Sequence, residues 1–282
     1  MNTFNLNNGI HIPTIGFGVF MVPNDGPTEA AVSKAIKSGY RLIDTAAAYF
    51  NETDVGKAIR NSGIKREEIF VTSKLWMQDY GYEEAKKGID QSLKNLGLDY
   101  IDLYLLHQPY GDTAGAWQAL EEAVDAGKIR SIGISNYTIK FLKELIPKMR
   151  ILPAVNQMEC NPMFQQKELR KFMGSYGIRL EAWYPLGHGD ELLMNDSRLI
   201  RLADKYHKSV AQIILRWHLQ EGILAIPKAT SEEHIEANID IFDFVLTDAE
   251  MAEIRSMDTG KGTHDPEDMD NVERLRVYRV HD

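Results

Sequence analysis

Eight times along this chain a short, β-rich apolar run is followed by a helical pattern, and that alternation limits what the chain can fold into. The runs begin at Ile15, Arg41, Ile69, Tyr100, Ile129, Ala154, Ile178 and Ile223. The helical patterns that follow span 27–38, 52–61, 82–96, 114–126, 139–146, 165–176, 197–220 and 232–239, and Gly39, Gly97 and Gly127 stop the first, third and fourth. Several of the strands are apolar with little alternation, as strands buried on both faces are. Eight such units in 282 residues predict one α/β domain over 1–282, a closed (β/α)8 TIM barrel. A doubly wound sheet is the alternative. Phe4-Asn-Leu6 and Ile10-His-Ile12 alternate around Asn8-Gly9, a hairpin signal read as a cap on the N-terminal end of the barrel. An extra C-terminal helix is expected over 248–257. The charged tail from Gly260 is expected to pack late or to stay mobile.

Parallel-barrel enzymes carry their chemistry where the strands end. Three of these runs reach an ionisable residue there. Leu-Ile-Asp44 ends the second, Phe-Val-Thr-Ser-Lys74 the third, and Leu-Tyr-Leu-Leu-His107 the fourth, while Tyr49 follows Asp44 closely. Singly, each has an ordinary reading. Asp44 is a helix cap, Tyr49 a packed aromatic, Lys74 a solvated strand end, His107 a core histidine. Together they offer a carboxylate, a phenol, an amine and an imidazole, which suffices for a proton-donating site.

Composition narrows the rest. A formal net charge of −9 argues against a general nucleic-acid binder. The single cysteine, Cys160, excludes an internal disulfide and a cysteine zinc cluster, and suggests a reducing, cytoplasmic setting. The first residues lack a basic and an apolar region, so no signal peptide is expected, and no apolar stretch is long enough to span a bilayer.

A set of segments then matches one family in order. These are Gly39-Tyr-Arg-Leu-Ile-Asp44-Thr-Ala-Ala-Ala-Tyr49, Asn51-Glu-Thr-Asp-Val-Gly56, Thr72-Ser-Lys74-Leu-Trp76, Asp99 through His107, Gly133-Ile-Ser-Asn136, Asn156 through Pro162, Trp183-Tyr-Pro-Leu186-Gly and Ile226-Pro-Lys228. The chain resembles the aldo-keto reductases, most of all the prokaryotic members similar to 2,5-diketo-D-gluconate reductases. The resemblance implies NAD(P)H-dependent carbonyl reduction with Tyr49 as general acid and Asp44, Lys74 and His107 completing a tetrad. It also implies that Ser135, Asn136 and Gln157 hold the nicotinamide carboxamide, that Trp183 stacks on the ring, and that Leu186, Lys228, His234 and Asn238 contact the rest of the cofactor. Phe20, Trp76 and Gln108 align with substrate-lining positions, and Met21 and Tyr110 border the same opening. The expected partner is a small carbonyl compound, with no nucleic acid and no membrane, and the protein is expected to be a monomer. Gly16-Phe-Gly18 starts like a dinucleotide fingerprint but lacks the third glycine, so it reads as a close-packed first strand.

Two positions at the last barrel strand depart from the family pattern, and a third lies in the substrate pocket. Ala229 stands where a serine follows the lysine, and His234 where an arginine is usual. Both usual residues help to hold the 2′-phosphate of NADPH, so NADPH with weak discrimination against NADH is expected. Thr230-Ser-Glu-Glu233 reads as a capping box that sets two carboxylates near that phosphate. Gln108 replaces a tryptophan common in relatives; it either bonds a hydroxylated or keto-acid substrate or simply makes a smaller pocket wall. A non-catalytic nucleotide sensor on the same barrel is the competing function, and the intact tetrad argues against it. A metal-dependent barrel would need His and carboxylate ligands converging at strand ends, and His107 has no such partners.

Overall fold

The computed structural model describes residues 2–282. A hairpin of β1 (Thr3–Asn5) and β2 (His11–Pro13) precedes a parallel sheet of eight strands in chain order. These are β3 (Phe17–Gly18), β4 (Leu42–Asp44), β5 (Phe70–Leu75), β6 (Ile101–Leu106), β7 (Ile129–Ser135), β8 (Val155–Glu159), β9 (Arg179–Trp183) and β10 (Leu224–Ala225). The ends of the sheet meet, since Ile15 bridges Ala225 in parallel and the Gly16 and Gly18 amides donate to the Ala225 and Pro227 carbonyls at 2.9 and 3.1 Å. The result is a closed (β/α)8 barrel, with all eight expected units in place.

Gly16 and Gly18 serve this seam. A Cβ on Gly16 would come within 2.6 Å of the Leu42 side chain, and one on Gly18 within 3.1 Å of the Ile226 carbonyl. The sequence reading of a close-packed first strand holds. Inside the barrel, Leu42, Phe70, Leu103, Val155 and Leu224 form one buried apolar layer, and Leu6 and Ile12 of the hairpin plug it from below. Asn8 pins the hairpin by donating to Ser131 Oγ at 2.9 Å. Only the C-terminal end of the barrel stays open to chemistry.

Helices α1 (Pro27–Lys37), α2 (Glu52–Asn61), α3 (Tyr82–Leu96), α4 (Thr113–Asp125), α5 (Ile139–Leu145) and α6 (Lys167–Gly174) wrap the outside. The stretch 197–220, expected as one helix, follows a short α7 (Glu191–Met194) and is two helices, α8 (Ser197–Tyr206) and α9 (Val210–Gln220). His207 turns left-handed (φ 53°) to end α8, and Ser209 with Gln212 forms the capping box that starts α9. After α10 (Glu232–Ile239) comes the expected extra helix, α11 (Asp248–Arg255).

The tail departs from expectation. It contains a further helix, α12 (Met269–Arg276), and it is tied down along its length. Buried Glu159 at the end of β8 accepts from the Thr263 and His264 amides at 2.9 and 3.1 Å. Tyr110 donates to the Pro266 carbonyl at 2.7 Å, Trp76 Nε1 to the Tyr278 carbonyl at 2.9 Å, and His281 pairs with Asp79 at 2.6 Å. Its composition hid this, because the anchors are mostly backbone groups of the tail meeting side chains of the barrel mouth.

Gly56 gives a stability prediction. It lies in α2 where α2 crosses α3, and a Cβ there would fall on the Leu96 carbonyl oxygen. Glycine to alanine inside an exposed helix usually gains about 0.5–1 kcal/mol. Here the obstacle is backbone, so Gly56→Ala is expected to lose about 2–3 kcal/mol through overpacking. Thermal unfolding checks it, and an unchanged or raised melting temperature refutes the close approach.

Candidate active site

Strand register brings the tetrad together. Asp44 pairs with Thr72, and Lys74 follows Thr72 by two residues, so both side chains point into the barrel, Lys74 one step nearer the C-terminal mouth. Lys74 is fully buried and spends all three hydrogens. It donates to Asp44 Oδ1 at 2.7 Å, to the Thr45 carbonyl at 2.9 Å and to the Tyr49 phenol oxygen at 3.3 Å. Because Tyr49 accepts that bond, its own hydrogen is free for another acceptor. Tyr49 sits on the short 3₁₀ turn Ala47–Tyr49 just past β4, its ring 5.6 Å from that of His107 and 5.0 Å from that of Phe20.

Burial dominates the electrostatics. It raises the Tyr49 phenol above its ordinary range, against the opposing pull of the Lys74 cation. Burial also works against the Lys74 ammonium, yet Asp44 and Tyr49 outweigh it and the amine stays charged. Burial likewise raises Asp44, with Lys74 opposing. His107 is held neutral, first by burial and then by the Lys74 charge.

The expected carboxamide group is adjacent. Ser135 and Gln157 face each other in the β7–β8 register, and Ser135 Oγ donates to the Gln157 carbonyl at 3.0 Å. Asn136 follows β7 in a left-handed turn (φ 66°), which asparagine tolerates better than most residues. That turn aims its amide back over the barrel mouth. Its Nδ2 donates to the His107 carbonyl at 3.2 Å, and its Oδ1 accepts from Trp183 Nε1 at 2.9 Å. The Trp183 ring is thereby fixed beside the tetrad, as a stacking platform requires. Gln157 reaches across the barrel from β8 to β4, donating to Asp44 Oδ2 at 2.9 Å.

The residues expected to contact the rest of a cofactor spread along the β9 and β10 ends. Leu186 ends the loop after β9, Lys228 is exposed just past β10, Ala229 is buried, and Asn238 is buried on α10. His234 is exposed in the first turn of α10. The cap of α10 is Ser231, not the expected Thr230 box, and its Oγ accepts from the His234 amide at 3.3 Å. Glu232 pairs with Lys34 of α1 at 3.1 Å, which turns it outward. His188 was not singled out from the sequence; burial lowers its pKa first and the Lys228 charge second.

Around the tetrad the wall is aromatic. Trp76 stacks edge-on to His107 at 5.1 Å and to Tyr278 of the tail at 5.5 Å, while half-exposed Phe20 and exposed Met21 form the opposite lip. Gln108 is buried, and its Oε1 meets Asn136 Nδ2 at 3.4 Å rather than standing free in the opening. A cavity of about 710 Å³ lies beneath the tail, bordered by Asn136, Met158, Glu159, Trp183 and His264. Sequence reasoning assigned no role to Glu159, Glu181 or Tyr278. The signal for the two glutamates was a charge set in a buried strand, Glu181 within Leu-Glu-Ala-Trp and Glu159 at the end of β8. Among the described residues no group of His, Cys, Asp and Glu side chains could hold a metal ion, and no helix is long and apolar enough to cross a membrane.

The profile of the Aldo/keto reductase family matches residues 14–259, and the chain belongs to that family. It is 47% identical to a morphine 6-dehydrogenase of Pseudomonas putida, over 94% of this chain and 95% of the relative. It is 48% identical to a glyoxal reductase of Bacillus subtilis, over 91% and 92%. The methylglyoxal reductase DkgA of Escherichia coli is 41% identical, over 91% and 93%. Among solved structures, an aldo/keto reductase from Brucella melitensis superposes with a TM-score of 0.87 at 47% identity, covering 91% of this chain and 99% of that one. The protein is therefore an oxidoreductase of the aldo-keto reductase type.

Proposed function

We propose that this enzyme reduces small aldehydes and ketones to alcohols with a nicotinamide cofactor, and that Tyr49 gives the proton. The observation that carries this reading is the buried chain Asp44–Lys74–Tyr49, at 2.7 and 3.3 Å, opening beside neutral His107. When bound, a reduced nicotinamide supplies a hydride to the carbonyl carbon. The oxygen then gains negative charge and needs a proton. Tyr49, whose hydrogen is uncommitted, delivers it. Lys74 stabilises the phenolate left behind, Asp44 keeps Lys74 charged and fixed, and His107 orients the carbonyl oxygen as a neutral hydrogen-bonding group.

The residues present fit the cofactor. Both Gln157 Nε2 hydrogens are engaged inward, so its Oε1 is left to accept from a carboxamide. Ser135 and Asn136 stand beside it, and the Trp183 ring is locked by Asn136. Relatives act on glyoxal and methylglyoxal by name, and the aromatic wall of Phe20, Trp76 and Tyr278 suits compact carbonyl compounds. Methylglyoxal and an aromatic aldehyde, each assayed with NADPH and with NADH, test the reading. Cofactor-dependent reduction of at least one is expected, and cofactor binding without turnover of any carbonyl would favour a sensor.

NADPH is expected to be used with weak discrimination against NADH. Lys228 offers a point charge to a 2′-phosphate, whereas Ala229 has no donor and His234 lacks the two-pronged fork of an arginine. His234→Arg should tighten NADPH binding roughly threefold to tenfold and leave NADH nearly unchanged, as a charge-assisted bond at an exposed site allows. Dissociation constants for both cofactors in both proteins decide this. Equal effects on the two would place His234 away from the phosphate.

A further inference from the structure

Two carboxyl groups hang on one amide under this site. Gln157 Nε2 donates to Asp44 Oδ2 at 2.9 Å and to Glu181 Oε2 at 2.8 Å. Glu181 faces Gln157 directly across the β8–β9 register and has no exposed surface. Asp44 has a cation at 2.7 Å, but no cation bonds Glu181, and its Oε1 is buried without any hydrogen-bond partner. Leu224 flanks it on β10. The titratable groups that face it are Asp44 on β4, Lys74 on β5 and Tyr49 beyond β4. A bare carboxylate oxygen in such a place is costly, and a carboxylic acid is far less so.

We propose that Glu181 is a positioning residue that carries a proton in the working enzyme and, through Gln157, holds the tetrad at one cation and one anion, so that its ionisation sets the upper pH limit of carbonyl reduction. Burial, with Asp44 adding to it, pushes this carboxyl up to about 8. Below that pH Asp44 and Lys74 cancel. Above it, Glu181 releases its proton to solvent and a second anion appears beside Lys74. That charge raises the Tyr49 phenol further and makes it a weaker acid. Glu181 Oε2 and Asp44 Oδ2 both accept from Gln157 Nε2, so the amide oxygen is left directed at the cofactor side.

The inference rests on Tyr49 as proton donor, and the experiment separates the two. The kcat/KM for methylglyoxal is measured from pH 6 to 10 in wild type and Glu181→Gln, each normalised to its own value at pH 6.5. Wild type should fall above about pH 8. In Glu181→Gln, which is neutral at every pH, the fall should start at least about one pH unit higher, giving a relative rate at pH 9 on the order of fivefold above wild type. A merely structural role would lower the whole profile without moving its limb, and coincident alkaline limbs overturn the proposal. If Glu181→Gln does not fold, wild-type protein labelled with ¹³C at its glutamate carboxyls gives the second reading. One resonance titrating near pH 8 supports the proposal, and all glutamates titrating below pH 6 overturns it. A Tyr49→Phe protein with undiminished turnover would instead sink the donor reading, and with it the link from Glu181 to rate.

Discussion

Tyr49→Phe is expected to reduce kcat/KM for carbonyl reduction by about 10²–10⁴, the range that general acid catalysis supplies. The expected loss is chemical. The ring keeps its contacts with Phe20 and His107 at 5.0 and 5.6 Å, so a phenylalanine fits the same space. What disappears is the oxygen that accepts from Lys74 at 3.3 Å and the hydrogen it offers to substrate. Lys74 keeps its bonds to Asp44 and Thr45, so the buried charges stay paired. Cofactor dissociation constants should therefore change by less than about twofold. Stopped-flow hydride transfer and a cofactor titration on the same preparation check both halves. Near-normal turnover would remove Tyr49 from the proton path, and loss of cofactor affinity would mean that the residue holds the nicotinamide instead.

Lys74→Met should depress kcat/KM about as strongly, on the order of 10²–10³. The substitution removes the one charge that opposes the burial of the Tyr49 phenol. It also leaves Asp44 buried without a counterion, and burial already raises that carboxyl. Asp44 should then take up a proton rather than persist as a bare anion. Asp44→Asn keeps the amine, so a smaller loss of about tenfold is expected. The amide cannot accept on both sides, however. One of its two ends must set NH₂ against Lys74 or against Gln157, both of which donate. Asp44→Asn should consequently lower the melting temperature as well as the rate. The discriminating measurement is the pH profile of kcat/KM in all three proteins. An unchanged alkaline limb in Lys74→Met would defeat the electrostatic account of Lys74.

The barrel was legible because its strands and helices carry different periods, and because Asp44, Lys74 and His107 each lie at or near the C-terminal end of an apolar strand. Asp44, Lys74 and His107 stood out for that reason. Glu159 and Glu181, each a charge set in a buried strand, were passed over, since a glutamate in a strand does not say whether it faces a cation, an amide or a backbone. Gln157 looked like a cofactor ligand, but its bond across the barrel to Asp44 joins residues 113 positions apart, which no local pattern encodes. The tail was unreadable for a related reason. Thr263, His264, Pro266 and Tyr278 are held through backbone groups, which are the same in every sequence. The break at His207 was missed because a left-handed histidine interrupts a helical pattern without a glycine to mark it.

The seam between Ile15 and Ala225 has a consequence for how the chain comes into being. The strand that is made first can find its second neighbour only after some two hundred further residues have left the ribosome. Until then β3 and β9 are open edges, and the apolar layer around Leu42, Leu103 and Val155 lacks Leu224. A nascent barrel at that stage presents unpaired backbone and oily surface together, the combination that recruits chaperones and seeds aggregates. Gly16 and Gly18, which make the seam narrow enough to shut, are thus guardians of biogenesis more than of catalysis. Bulkier residues there should cost soluble yield before they cost turnover in the molecules that do mature.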